Sequence, residues 1–220
     1  MAKRVYSLVL DDDVIECVDR LAYTKRTNRS NMINQILAEY FSFVTPERRT
    51  REIFDKIEQL LTGESALQLA SSPSETMMSL RSALMYKYNP TVKYSVQLYK
   101  NSFPLVGELR VSMRTQNSTL TLYLMQFYRA WANIESRYAR GIEYTIEDGK
   151  LCRSLNVRYN SGKHVSTVSS NTIGQLIADY IATFDSALKA YFYNIDTPEL
   201  ALAEMDKIYA KYIYENDEII

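Results

Sequence analysis

The short run Val5-Tyr6-Ser7-Leu8-Val9-Leu10 reads as a single β-strand, and two helical patterns follow it at once. Tyr6, Leu8 and Leu10 share one face of such a strand, and Val5, Ser7 and Val9 share the other. A lone strand exposes a row of amides and carbonyls that cannot be buried without partners. The next fifty or so residues offer no second strand. The natural partner is the same strand of a second copy of the chain, so this opening is expected to dimerise.

Asp11-Asp12-Asp13 supplies an N-cap and places negative charge at the first turn of a helix. Val14, Val18 and Leu21 follow at helical spacing, Ile15 and Ala22 widen the stripe, and Glu16, Asp19 and Arg20 face outward. The pattern breaks at Tyr23-Thr24-Lys25-Arg26-Thr27. Asn28 or Ser30 can then cap a second helix with Met32, Ile33, Ile36, Leu37 and Tyr40 as its apolar set.

Strand, acidic cap, helix lengths and the Asn28-Arg29-Ser30-Asn31-Met32-Ile33 start of the second helix together resemble the ribbon-helix-helix family of bacterial and phage repressors. The resemblance covers about residues 3–43. It implies two strands paired across a two-fold axis, with the ribbon in the DNA major groove. Val5, Ser7 and Val9 would face the bases. Lys3 and Arg4 would reach the backbone, and Asn28, Arg29 and Ser30 would clamp a phosphate at the positive end of the second helix. Tyr6, Leu8, Leu10, Val14, Val18, Leu21, Ile33, Ile36 and Leu37 would form the dimer core. The chain departs from the family at the outward strand positions, where valine offers a thymine methyl a contact but no hydrogen bond. Three readings stay open: specificity comes from Lys3, Arg4 and DNA shape; the valines pack on the C-terminal part; or the module dimerises without binding DNA.

Formal net charge is zero and the pI is near 6.6, so DNA affinity must come from a local patch. The two cysteines, Cys17 and Cys152, do not suggest a disulfide framework. Met1-Ala2-Lys3-Arg4 leads into the strand without an apolar signal region, and no apolar run reaches the ~18–20 residues of a membrane span. A soluble cytoplasmic protein is expected, with no membrane partner. Eighteen tyrosines read as amphipathic faces with polar tips rather than as a platform for stacking bases.

Thr45-Pro46-Glu47 opens a connector helix over 47–62, with Ile53, Ile57, Leu60 and Leu61 on one side and Arg48, Arg49 and Arg51 at its start. Such a basic run is usually a solvated face, with DNA-backbone contact as the alternative. Ser71-Ser72-Pro73-Ser74 reads as a linker, and Thr76 to Lys87 as a helix. Period-two alternation then gives strands around Val92–Leu98, Leu109–Met113 and Leu120–Leu124, followed by a helix from Gln126 to Ala139. Tyr144-Thr145-Ile146 and Leu151 to Arg158 form a hairpin about an Asp-Gly turn. Helices from Ser170 to Tyr193 and from Pro198 to Tyr214 complete the chain. The expected class is α+β: a ribbon-helix-helix module over 1–44, a connector and linker over 45–75, and an effector or oligomerisation domain over 76–220 with an antiparallel sheet and helices on one face.

Catalytic and metal chemistry find little footing. His164 stands alone in a Ser/Gly loop near Cys152, too few ligands for a metal site. There is no phosphate-binding glycine loop or nucleophile elbow, and Glu143, Glu147 and Asp148 read as turn chemistry. The sequence therefore leads to a homodimeric, cofactor-free DNA-binding regulator, a repressor by expectation. A small molecule or protein could be sensed at residues 76–220. The rivals are an accessory protein of a mobile element (transfer, partition or antitoxin) and a dimerisation-only interaction protein.

Overall fold

In the computed structural model, which describes residues 7–40, 45–62, 67–87, 89–100, 104–159 and 168–220, the chain parts into two units, Met1–Arg49 and Thr50–Ile220. The first unit is helical. α1 runs over Asp12–Thr24, with Asp11 as its extended N-cap residue and Asp12 and Asp13 in the first turn. The Asp11 carbonyl accepts from the amides of Val14 (3.0 Å) and Ile15 (3.1 Å). At the other end Thr27 N–H returns to Ala22 C=O and Arg26 N–H to Tyr23 C=O, the paired bonds of a Schellman stop. That stop needs a left-handed residue, and here Arg26 takes it at φ 51°. α2 follows over Arg29–Tyr40, capped by the Asn28 side chain, which accepts from Asn31 N–H at 2.9 Å.

The expected strand is not formed at the start of this unit. Ser7–Leu10 carry no ladder, while Val5 and Tyr6 lie outside the described residues. Among the described residues of the first unit there is no other strand for that segment to pair with.

The second unit is mixed α+β. α3 covers Pro46–Leu61, with Pro46 at its start and Ile53, Phe54, Ile57 and Leu61 buried in the second unit's core. The strands are β1 (Leu67–Ser71), β2 (Met77–Ala83), β3 (Thr91–Leu98), β4 (Leu105–Met113), β5 (Tyr144–Glu147) and β6 (Lys150–Asn156). They form one six-stranded sheet in the order β1-β2-β3-β4-β6-β5, and every pairing is antiparallel. α4 (Ser118–Tyr138), α5 (Ser170–Tyr193) and α6 (Pro198–Glu215) share one core with the buried face of the sheet. A short pair, β7 (Arg158–Tyr159) with β8 (Glu218–Ile219), ties down the chain after α6. No helix among the described residues is long and apolar enough to cross a membrane.

Two expected elements change type. Residues 77–83 form strand β2 and not a helix, because Met78, Leu80 and Ser82 are buried at period two and register against Val96, Tyr94 and Val92 of β3. Ser72-Pro73-Ser74 consequently belong to the β1–β2 connection, and Ser71 is the last residue of β1. Residues 120–124 form the start of α4 and not a strand. Leu122 is exposed, while Leu120, Leu124, Phe127, Tyr128, Trp131 and Ile134 line the buried side at helical spacing. Asn117 settles the choice locally, since its side chain caps α4 by accepting from Leu120 N–H at 3.1 Å. The β5–β6 hairpin forms as expected, with Asp148 (φ 49°) and Gly149 (φ 73°) both left-handed in its two-residue turn.

Two glycines mark close approaches. A Cβ on Gly174 of α5 would lie 2.7 Å from the Lys56 Cβ and 2.9 Å from the Ile53 carbonyl oxygen of α3. On Gly107, beside the irregularity in β4, it would lie 2.1 Å from the Gln97 carbonyl oxygen of β3. The obstacle there is backbone, which cannot step aside as a side chain can. Gly107→Ala is expected to cost about 3 kcal/mol or more, at the upper end of overpacking penalties. Urea unfolding of the variant checks this, and an unchanged midpoint would contradict the β3–β4 register.

Candidate functional site

The first unit buries little of what it could. Val18, Ala22 and Met32 form its core, with Ile33 packed against them. Of the expected dimer-core positions, only Val18 is fully buried within the chain. Leu10 and Ile33 are half-buried, and Leu8, Val14, Leu21, Ile36 and Leu37 remain exposed, Leu21 at 44% and Leu37 at 46%. Tyr6 lies outside the described residues. The apolar stripes of α1 and α2 are thus real in the sequence but mostly uncovered in a single chain.

The start of α2 is polar and open. Asn28, Arg29 and Ser30 are all exposed there, where the first amides of a helix have no intrahelical partner. Asn28 is committed as the cap. Arg29 is engaged as well: its Nε and one terminal nitrogen reach the two Asp19 oxygens at 2.7 and 2.5 Å. This fork holds α2 to α1 and draws the Asp19 carboxyl below its ordinary value, chiefly through the hydrogen bond from Arg29. Of the base-facing positions, Ser7 and Val9 are exposed and Val5 lies outside the described residues, as do Lys3 and Arg4.

A polar cluster with no counterpart among the sequence expectations lies in the second unit. Glu135 of α4 and Arg153 of β6 are both wholly buried. Arg153 Nη2 donates to Glu135 Oε1 at 2.9 Å and its Nε to Oε2 at 3.2 Å. The same carboxylate accepts from the hydroxyls of Tyr180 (2.9 Å), Tyr209 (3.2 Å) and Tyr144. Arg153 also donates to the main-chain oxygens of Ser154 (3.1 Å) and Ile220 (2.6 Å), and its guanidinium lies 3.9 Å from the Tyr180 ring centroid. Trp131 Nε1 donates to the Tyr180 hydroxyl at 2.9 Å.

Burial opposes the Arg153 charge, but the Glu135 carboxylate and the surrounding phenols outweigh it and hold its pKa well above the ordinary value. Burial, reinforced by Glu135, likewise lifts the phenols of Tyr144, Tyr180 and Tyr209, which therefore stay neutral donors. Both carboxylate oxygens are fully used, with no exposure for a substrate. The cluster is a clamp joining α4, β5, β6, α5, α6 and Ile220, and its chemistry is structural. Its signal in the sequence was an arginine between Leu151 and Leu155 on the apolar phase of β6.

Comparison with protein-family models, with curated proteins and with solved structures gives no match. Function must be argued from the residues themselves.

The remaining candidates do not converge. Glu147 and Asp148 are exposed at the hairpin turn, and Glu143 is exposed just before β5. Cys152 points its thiol at Glu108 Oε2 (3.5 Å), and burial raises its pKa, the opposite of what a nucleophile needs. Cys17 is exposed on α1, and His164 lies outside the described residues. No group of three or more His, Cys, Asp or Glu among the described residues can hold a metal ion.

Two outcomes are expected. Glu135→Ala strands a buried arginine, so it should cost about 3–5 kcal/mol in chemical denaturation, whereas an exposed acid such as Glu147→Ala should cost under about 0.5 kcal/mol. In a carboxyl NMR titration, Asp19 should titrate below the ordinary aspartate value and return toward it in Arg29→Gln. Because the folded value is depressed, this pair's small, salt-screened contribution is present above the unfolded pKa and fades as pH falls through the folded one.

Proposed function

We propose that this chain is a homodimeric DNA-binding regulator of ribbon-helix-helix type, acting as a repressor by occupying its site. The supporting observation is the incomplete core of the first unit. Two short helices that bury only Val18, Ala22, Met32 and Ala38 among their apolar residues fall below what a unit of this size needs to stand alone. Leu8, Val14, Leu21, Ile36 and Leu37 are the side chains a ribbon-helix-helix dimer would cover, and they are exposed here. A second copy would also give the Ser7–Leu10 segment, which carries no ladder here, a partner strand. Each half-exposed Leu, Ile or Val covered would then add about 1 kcal/mol, half of a full burial.

On this reading the exposed start of α2 meets the phosphate backbone. Ser30 and the free helix amides supply donors, and Arg26 adds a cation just before the helix. Arg26 occupies a left-handed position at a cost that glycine would avoid. An arginine kept at such a position fits a role in binding better than one in folding.

Dimerisation without DNA is the second reading, and two observations favour it. Val9 brings no hydrogen bond to a base edge, and Arg29 is occupied by Asp19. Sedimentation and DNA binding on one set of proteins separate the two. The full chain is expected to sediment as a dimer at micromolar concentration and to shift duplex DNA at low salt. The pair Leu21→Glu with Ile36→Glu is expected to abolish the dimer and lower DNA affinity at least tenfold. A monomeric wild-type chain would overturn the proposal. A dimer that leaves DNA unshifted at every salt concentration would establish the second reading.

A further inference from the structure

The solvent-facing side of the second unit's sheet carries an arrangement that folding alone does not favour. In the register of the ladder, Gln68 of β1 lies opposite Arg81 of β2, Arg81 opposite Lys93 of β3, Lys93 opposite Ser112 of β4, and Ser112 opposite Lys150 of β6. Arg81, Lys93 and Lys150 are exposed, and the side chains that flank them along β2, β3 and β6 point into the core. Arg81 and Lys93 are direct cross-strand neighbours, a pairing in which like charges destabilise a sheet. Among the described residues no carboxylate forms an ion pair with Arg81, Lys93 or Lys150. Arg81 instead donates to the neutral Gln68 side chain at 3.3 Å. By contrast Arg110, on the same sheet, is neutralised by Glu108. Among the described residues the row's one acid is Glu147, at its end opposite Lys150.

We propose that this cationic row is a second DNA-contacting surface, one that takes the phosphodiester backbone of a duplex. Three features select an extended polyanion over a single phosphate. The cations stand in a line across three strand spacings, roughly 14 Å. They do not converge on a pocket. Ser112 and Gln68 fill the line with uncharged hydrogen-bonding groups. A duplex carries one negative charge per about 1.7 Å of axis, so several phosphates fall within that reach. Contacts of this kind read no sequence; they add affinity and salt dependence. The charge is local, which is how a chain of zero net charge can present it.

The inference rests on the DNA reading of the first unit, and the test separates their failures. A labelled duplex of about 30 base pairs and arbitrary sequence, roughly seven times the length of the row, is titrated with the full chain across a salt series and followed by anisotropy. The triple variant Arg81→Gln, Lys93→Gln, Lys150→Gln is expected to bind more weakly. Its slope of log K against log salt should be shallower by about 2 to 3, near 0.9 for each phosphate no longer neutralised. A second variant, Lys93→Glu, places an acid opposite Arg81, so it should raise the urea midpoint while lowering DNA affinity. That opposition is one a folding defect would not produce. Wild-type binding with an unchanged slope in the triple variant overturns this inference and leaves the first unit's reading standing. No wild-type binding at low salt overturns both.

Discussion

The Glu135–Arg153 pair is the interaction on which the second unit most depends. A buried ion pair is not in itself a source of stability, because desolvation offsets the Coulomb attraction unless every remaining lone pair and proton finds a partner. Here they do: three phenols and the guanidinium fill the carboxylate, and two main-chain oxygens and an aromatic face receive the rest of the guanidinium. A network satisfied to that degree fixes geometry, because any other packing of α4 against β6 would leave a buried charge without a partner. The aromatic core around it follows from the same placement. Trp131 bonds Tyr180 and stacks edge-on to Tyr209 and Phe184, so the three long helices are held in register with each other and with the sheet. Three of the chain's tyrosines, Tyr144, Tyr180 and Tyr209, find their use here, their polar tips completing the buried network.

Most of the second unit's secondary structure was legible, and where it was not the reason is specific. β3, β4, the Asp-Gly hairpin, α5 and α6 carry clean periods and unmistakable turn or cap residues. β1 lies in the stretch read as connector and linker and was missed, and the two changes of element type arise where one stretch fits both periods. Leu120, Leu122 and Leu124 alternate like a strand, yet Leu120 and Leu124 are also one helical turn apart, and only the cap at Asn117 breaks the tie. In 77–83 the hydroxyls of Ser79 and Ser82 weaken the alternation, although both are buried, and Ser79 meets Ser95 across β2–β3 at 3.1 Å. The clamp was hidden because it joins residues far apart in sequence. A lone arginine on the apolar phase of a strand announces only that some partner exists, not which one.

The first unit differs in kind. Its helices, its acidic first turn and its Asn28 cap stand where the residues put them. What it leaves uncovered is most of the apolar stripe on those helices. The Ser7–Leu10 segment without a ladder and the uncovered stripe on α1 and α2 would, on the proposed reading, be one deficiency seen twice, in backbone hydrogen bonding and in apolar area. In the proposed dimer both would be met by the same partner in the same arrangement. That coincidence favours a second copy over an unrelated protein, which would have to cover the stripe and pair the strand independently.

A neutral chain has no long-range field to draw it to DNA, so any attraction must be assembled from local features. The described residues include two places where cations sit against the interests of the fold: Arg26 at a left-handed position, and Arg81 abreast of Lys93. Each costs folding energy that a glycine or an acid would recover. Such costs accumulate where binding offsets them, and an anionic backbone is the partner that would offset both.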